Sequence, residues 1–212
     1  MPLAIFILPS FDRSLKILDA GQICHVGFIH KGCPVVIPTI YGRSENKVFI
    51  HGATVSRLIT ELEKGIDISL SVAHVDGLVL ARSAFHHSMN YRSVVLFGKA
   101  KLVEDHGKNA ALKVISDHLI AGRWEEVREP NAKELKATKV LEIPIDEASA
   151  KIRTGGPIDD KEDYRLDIWA GEIPLKRQAL ESVDDVKMKS DLKVPKSVLN
   201  FIESNNKLLS SD

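Results

Sequence analysis

Two stretches of this chain gather side chains whose types and spacing could do chemistry. The first, Val48-Phe-Ile-His-Gly-Ala-Thr-Val-Ser-Arg57, runs from strand-forming residues through a glycine into the start of a helix. Free backbone N–H groups, the Thr54 and Ser56 hydroxyls and the Arg57 guanidinium would surround one point there, and Gly52 would let backbone come close. A helix start with unpaired N–H groups and an arginine favours a phosphate. The same residues also read as a Thr54 N-cap followed by a solvated Arg57.

The second stretch, Leu80 to Val94, packs Arg82, His86, His87, Asn90, Tyr91, Arg92 and Ser93 into a connection between two strands. Donor-rich loops on a rigid scaffold are where binding tends to sit. Paired histidines raise the question of a metal. Neighbouring residues of extended chain point to opposite sides, and no Cys, Asp or Glu lies near enough in sequence to complete a site, so no metal is expected. GxGxxG, P-loop, HExxH, GxSxG and CxxC motifs are all missing, which removes support for a classical nucleotide fold, a zincin or a hydrolase.

These stretches need elements to hold them. Asp12 to Ala20 reads as a short helix, and Ile23 to His30 with Cys33 to Tyr41 reads as a hairpin turning at Lys31-Gly32. Gly42 to Asn46 is expected to be a loop before the strand Lys47 to His51. Strict alternation over Ile66 to Val72 predicts one buried face, and Asp76-Gly77 predicts a tight type I′ turn into Leu78 to Arg82. Tyr91 to Val103 reads as the longest strand, and Thr138 to Ile145 and Ser149 to Arg153 as two more. Helices are expected over Thr54 to Lys64, Lys108 to Ala121 and Asn131 to Ala137, the last with capping-box spacing between Asn131 and Glu134. Many hairpin-linked strands with a few inserted helices argue for a closed antiparallel barrel.

The composition bounds the function. Of 212 residues, 44% are hydrophobic and 27% charged, enough for a core and too ordered a mixture for a disordered chain. Lys plus Arg (29) balance Asp plus Glu (29), so no net field draws the protein to nucleic acid or to an anionic membrane. Residues 1–10 form an apolar extension too short to span a bilayer and without a signal's basic start, so a cytoplasmic protein is expected. Cys24 and Cys33 would sit about 30 Å apart in extended strands, beyond disulfide reach, and are expected to be reduced and buried. Residues 176–212 read as a charged tail whose end, from Pro195, forms a docking helix.

Several segments together resemble the FMN-binding split barrels related to pyridoxamine 5′-phosphate oxidase, in the flavin-nucleotide-binding branch. They are His25-Val-Gly-Phe, Val36-Ile-Pro-Thr39, Phe49-Ile-His-Gly-Ala53 with Ser56-Arg57, Asp76 to His87, Asn90-Tyr-Arg-Ser-Val94, Gly122-Arg-Trp124 and Trp169-Ala-Gly171. They span residues 11–175, which are taken as one domain. The resemblance implies a mainly β fold with inserted helices: a six-stranded antiparallel split β-barrel that forms a homodimer and binds FMN. By similarity the strand containing Ile37, Pro38, Thr39 and Tyr41 lines the flavin ring. Ser56 and Arg57 hold its phosphate, with His51, Gly52 and Thr54 beside them as further cofactor-binding candidates; Ser93 contacts the flavin, and Trp169 reaches it from a partner subunit.

Departures narrow the function that the resemblance implies. Where pyridoxamine phosphate oxidases continue Ser-Arg-Lys, this chain has Leu58, and their substrate-phosphate segment and C-terminal arginine signature have no counterpart. Oxidation of vitamin B6 phosphates is therefore not expected. The leading expectation is an FMN-dependent oxidoreductase acting on a small redox substrate, with Arg82 or Arg92 stabilising the reduced ring and His86 donating a proton. The alternatives are a non-catalytic or flavin-free module, and a haem-binding barrel with His25, His51, His86 and His87 as candidate ligands.

Overall fold

The computed structural model describes residues 11–189 and 191–207, so the apolar extension of residues 1–10 lies outside the described residues. In chain order the helices and strands are α1 (Phe11–Ala20), β1 (Ile23–His30), β2 (Cys33–Ile40), β3 (Gly42–Ser44), β4 (Lys47–Ala53), α2 (Arg57–Leu62), β5 (Asp67–Leu80), β6 (Ser88–Lys99), β7 (Lys101–Leu102), α3 (Lys108–Leu119), α4 (Ala132–Ala137), β8 (Thr138–Pro144), β9 (Glu147–Arg153), β10 (Gly171–Pro174) and α5 (Lys196–Lys207). They divide into two compact units. Among the described residues, one holds 11–39 with Asp67–Gly98 and Ile145–Lys176; the other holds Ile40–Ile66, Lys99–Pro144 and those from Arg177 onward.

The first unit is built on a sheet with strand order β2-β1-β5-β6-β9, to which β10 adds by pairing with β5. The β1–β2 hairpin turns through Lys31 and Gly32, both at positive φ, as a two-residue primed turn requires. Alternation in β5 buries Ile68, Leu70 and Val72 and leaves Ser69 and Ser71 on the other face, as the sequence pattern predicts. Helix α1 buries Ile17 and Leu18 and lies against β5 and β9. The second unit carries the sheet β3-β4-β8-β7. Its strands bury Val48, Ile50, Leu141 and Ile143, and Ala111 and Ile115 of α3 pack with Val140 of β8.

Several expectations require correction. The strands do not close into one six-stranded barrel: ten strands among the described residues form sheets of six and four. Hairpin patterning predicts antiparallel neighbours, but closure depends on tilt and stagger, which alternation does not encode. Asp76-Gly77 makes no turn. It lies inside the single long strand β5, where a Cβ on Gly77 would stand 3.0 Å from the Ile173 carbonyl oxygen, so this glycine serves the close approach of β10. Gly42 to Ser44 is not a loop but a strand paired with β4, and a Cβ on Gly42 would come within 2.6 Å of the Ile115 backbone. The expected strand Tyr91 to Val103 breaks at Ala100 into β6 and β7, and β10 has no counterpart in the sequence reading.

Other local readings match closely. Asn131 accepts the Glu134 N–H at 3.0 Å while Glu134 accepts the Asn131 N–H at 2.9 Å, completing the capping box. Both cysteines are free. Cys24 is buried, and burial pushes its thiol up to about 12; Cys33, by contrast, is exposed. No helix among the described residues is long and apolar enough to cross a membrane.

Candidate functional site

In the second unit, β4 ends at Ala53 and the chain bends into α2. The helix begins at Arg57, three residues later than the sequence suggests, and its N-cap is Ser56 and not Thr54. Ser56 Oγ accepts the Ile59 N–H at 3.4 Å, while the Thr54 N–H donates to the Ala137 carbonyl at 3.1 Å. Gly52 proves to be a packing residue: a Cβ there would meet Ile59 Cγ1 at 2.9 Å and Ser56 Oγ at 3.2 Å. The space the missing side chain leaves is thus taken by α2 itself.

What this corner keeps for a ligand is a set of unspent donors. The Ser56 hydroxyl accepts one bond and still has its own proton to give. The Arg57 guanidinium is exposed and has no ion-pair partner among the described residues. On β4, His51 is half-buried with its Nδ1 enclosed and unbonded, and burial lowers its pKa, so the ring is neutral at pH 7. Leu58, where a second phosphate cation would stand, is only 6% exposed and belongs to the core, so a cation there would have to be buried. Tyr41 also turns inward. It is fully buried with its ring 4.7 Å from that of His118, which removes it from contact with an external ligand.

The first unit holds the remaining residues. On β2, Ile37 and Thr39 are half-buried and Pro38 is exposed, and the Thr39 carbonyl accepts the Cys24 thiol at 3.6 Å. Ser93 is half-buried on β6 opposite Lys151 of β9. Trp169 is exposed and lies over Gly171, where a Cβ would be 3.0 Å from its ring.

The histidine loop is tied down by carboxylates distant in sequence. Asp159 has a fully buried side chain that accepts the Arg82 N–H at 2.9 Å, the Ser83 N–H at 3.3 Å and Arg82 Nη1 at 3.1 Å. Burial opposes its charge, but the bonds from Ser83 and Arg82 outweigh that and hold its pKa below the usual carboxylate range. The Arg82 guanidinium also sits 4.9 Å from the Tyr164 ring centre, a cation–π contact. Arg92 forms a two-pronged pair with Asp76, both bonds 2.8 Å, and the hydrogen bond to that carboxylate raises its pKa against the effect of burial. Asn90 donates to Glu172 at 2.6 Å and accepts from Arg153. Both arginines expected to face a flavin ring are therefore already neutralised within the fold.

The two histidines of this loop differ. His87 Nδ1 accepts the Ala81 N–H at 3.0 Å, which fixes the ring proton on Nε2 and leaves no free nitrogen lone pair. His86 Nε2 stands 3.4 Å from Asp160 Oδ2. The acidic partners Asp159, Asp160 and Asp163 were not singled out from sequence. The run Asp159-Asp-Lys-Glu-Asp163 was the available signal, but only the fold shows which loop it meets.

The family model described as pyridoxamine 5′-phosphate oxidase matches residues 10–152. This chain belongs to that family. Among solved structures it is similar to the FAD and haem binding protein from Mycobacterium smegmatis, with 34% identity, a TM-score of 0.88, and 91% of this chain and 95% of that one covered. It is likewise similar to the flavocytochrome Anf3 from Azotobacter vinelandii, with 42% identity, a TM-score of 0.85, and 90% and 89% covered. No curated protein matches it. Membership accounts for the mainly antiparallel fold, and the residue after Arg57 in this chain is the core Leu58.

Proposed function

We propose that this protein is a redox flavoprotein that binds a flavin nucleotide and carries haem as a second group. The observation that supports it most is likeness over nine-tenths of the chain to two proteins described as binding both FAD and haem or as a flavocytochrome. On that ground FAD is favoured over the FMN that the sequence resemblance implies. A bound flavin would supply reversible electron transfer. The chain's own part is to hold it: Ser56, Arg57 and the Thr54 hydroxyl would bind the phosphate end, where donors stand without partners. Fluorescence titration tests this reading. FAD and FMN should bind and riboflavin, lacking phosphate, should bind far worse; equal affinity for riboflavin would contradict it.

Haem is favoured for a second reason within this chain. An iron ligand must be a neutral imidazole with a free nitrogen. His87 fails that test, whereas His51 is neutral and can keep its ring proton on the enclosed Nδ1, leaving Nε2 to ligate, and the His25 side chain is exposed on β1 with no hydrogen bond among the described residues. Loss of the Soret band in His25→Ala or His51→Ala would identify the ligand; its retention in both would remove these assignments. A homodimer belongs to the same proposal, and sedimentation of a flavin-loaded monomer would contradict it. Turnover of pyridoxine or pyridoxamine phosphate is not expected, since the substrate-phosphate segment and C-terminal arginine signature of those oxidases have no counterpart in this chain.

A further inference from the structure

The first unit contains a cluster that flavin and haem binding leave unused. One ligand atom each from His86, Asp160 and Asp163 lies within 4.8 Å of the other two. We propose that these residues form a binding site for a first-row divalent transition-metal ion, with zinc as the probe.

The cluster is assembled by the fold. Asp159 clamps the chain at Arg82 and Ser83 through three hydrogen bonds, which fixes the segment following it against the short turn Ala84–His86. The Asp163 N–H then donates to the Asp160 carbonyl at 3.0 Å, a single turn that brings two carboxylates three residues apart toward one side. The Tyr164 ring, packed under the Arg82 guanidinium, holds the far end of that turn. Segments more than 70 residues apart in sequence thereby present one imidazole and two carboxylates to a common point.

Distance and charge both suit a cation. Two ligands bonded to one tetrahedral zinc at ~2.0–2.1 Å stand about 3.4 Å apart. His86 Nε2 and Asp160 Oδ2 are separated by 3.4 Å. The Asp160 side chain is 74% exposed, so its rotation can close the remaining gap to Asp163. As a simple ion pair the group is unbalanced, because two carboxylates face one imidazole and the Asp163 carboxylate has no partner among the described residues. A divalent ion corrects that excess. Imidazole with carboxylates is a set that suits zinc, iron or manganese, and three protein ligands leave positions open for water or another molecule.

This assignment replaces the proton-donor role expected for His86, because an imidazole whose Nε2 holds an ion has no proton there to give. It also stands apart from the flavin reading, since its test follows zinc alone. Isothermal titration of zinc into the full chain should show one site, weakened about 100-fold or more in His86→Ala and in Asp163→Asn, at or above the loss seen when outer partners of metal sites are removed. Thermal melts establish that each variant is folded, and because Asp163 lies outside the histidine loop its variant keeps the test valid if His86→Ala unfolds. A chain that binds no zinc, or folded variants that bind it as tightly as the parent, would overturn the site.

Discussion

The Arg82–Asn90 loop and the β4–α2 corner are both rich in polar side chains, and they spend them differently. In and beside the loop most strong donors meet an acceptor inside the protein: Arg82 meets Asp159, although its Nε is buried without an acceptor, Arg92 on β6 meets Asp76, and Asn90 lies between Glu172 and Arg153. In the corner Arg57 has no ion-pair partner among the described residues and His51 has an unbonded nitrogen. A polar group satisfied by the fold contributes to shape, whereas one left without a partner is available to a ligand. Composition made the loop look like the reactive region and the corner like the phosphate site; the internal partners of the loop count against the first, whereas the unpaired Arg57 of the corner remains open to the second.

The largest effect expected from breaking this contrast is at Asp159. Asp159→Ala leaves two N–H groups and the Arg82 guanidinium without their acceptor, and should lower the melting temperature by about 5–10 °C. The same carboxylate sets a pH limit. Its folded pKa lies below the ordinary value, so its contribution is full above about pH 4 and is lost as the pH falls through the folded value. Acid unfolding of the parent, compared with Asp159→Ala, should show that arm missing in the variant.

Arg57→Ala reverses the pattern. It should weaken flavin by ~1.5–3 kcal/mol, the range for bonds to charged groups, while stability of the flavin-free chain changes by less than ~0.5 kcal/mol. A large loss of stability would mean that Arg57 belongs to the fold. Gly52→Ala sharpens the same point from the other side: with Ile59 Cγ1 only 2.9 Å from the new methyl, overpacking should cost ~1–3 kcal/mol in a denaturant melt.

The smallest expected effect is at His51. Burial lowers its folded pKa, so between that value and the unfolded value of about 6.5 the unfolded chain binds more protons. Stability should be fully present above about pH 6.5 and decline as the pH falls toward the folded pKa. His51→Gln should flatten that slope; an unchanged slope would place the pH dependence elsewhere.

Local pattern made much of the fold legible. The Ile68-Leu70-Val72 face, the Lys31-Gly32 turn and the Asn131–Glu134 capping box depend on neighbours within a few residues, and each stands as read. What sequence could not show was how distant segments meet. Asp76-Gly77 has the composition of a turn, yet β10 arriving beside Gly77 makes a continuous strand more favourable. The β4–α2 corner was legible as a strand, a glycine and a helix start, but the cap lies at Ser56, and Ile59 packs into the space at Gly52. His86 looked isolated because Asp160 lies 74 residues away.

The central claim is that this chain holds flavin together with haem, and an absorption spectrum of the purified full-length protein tests it directly. The account predicts paired flavin bands in the near-ultraviolet and blue beside a Soret band, with the flavin bands bleaching and the haem bands shifting on reduction by dithionite. A chain that shows neither chromophore, even after incubation with FAD and haem and removal of the excess, would contradict it.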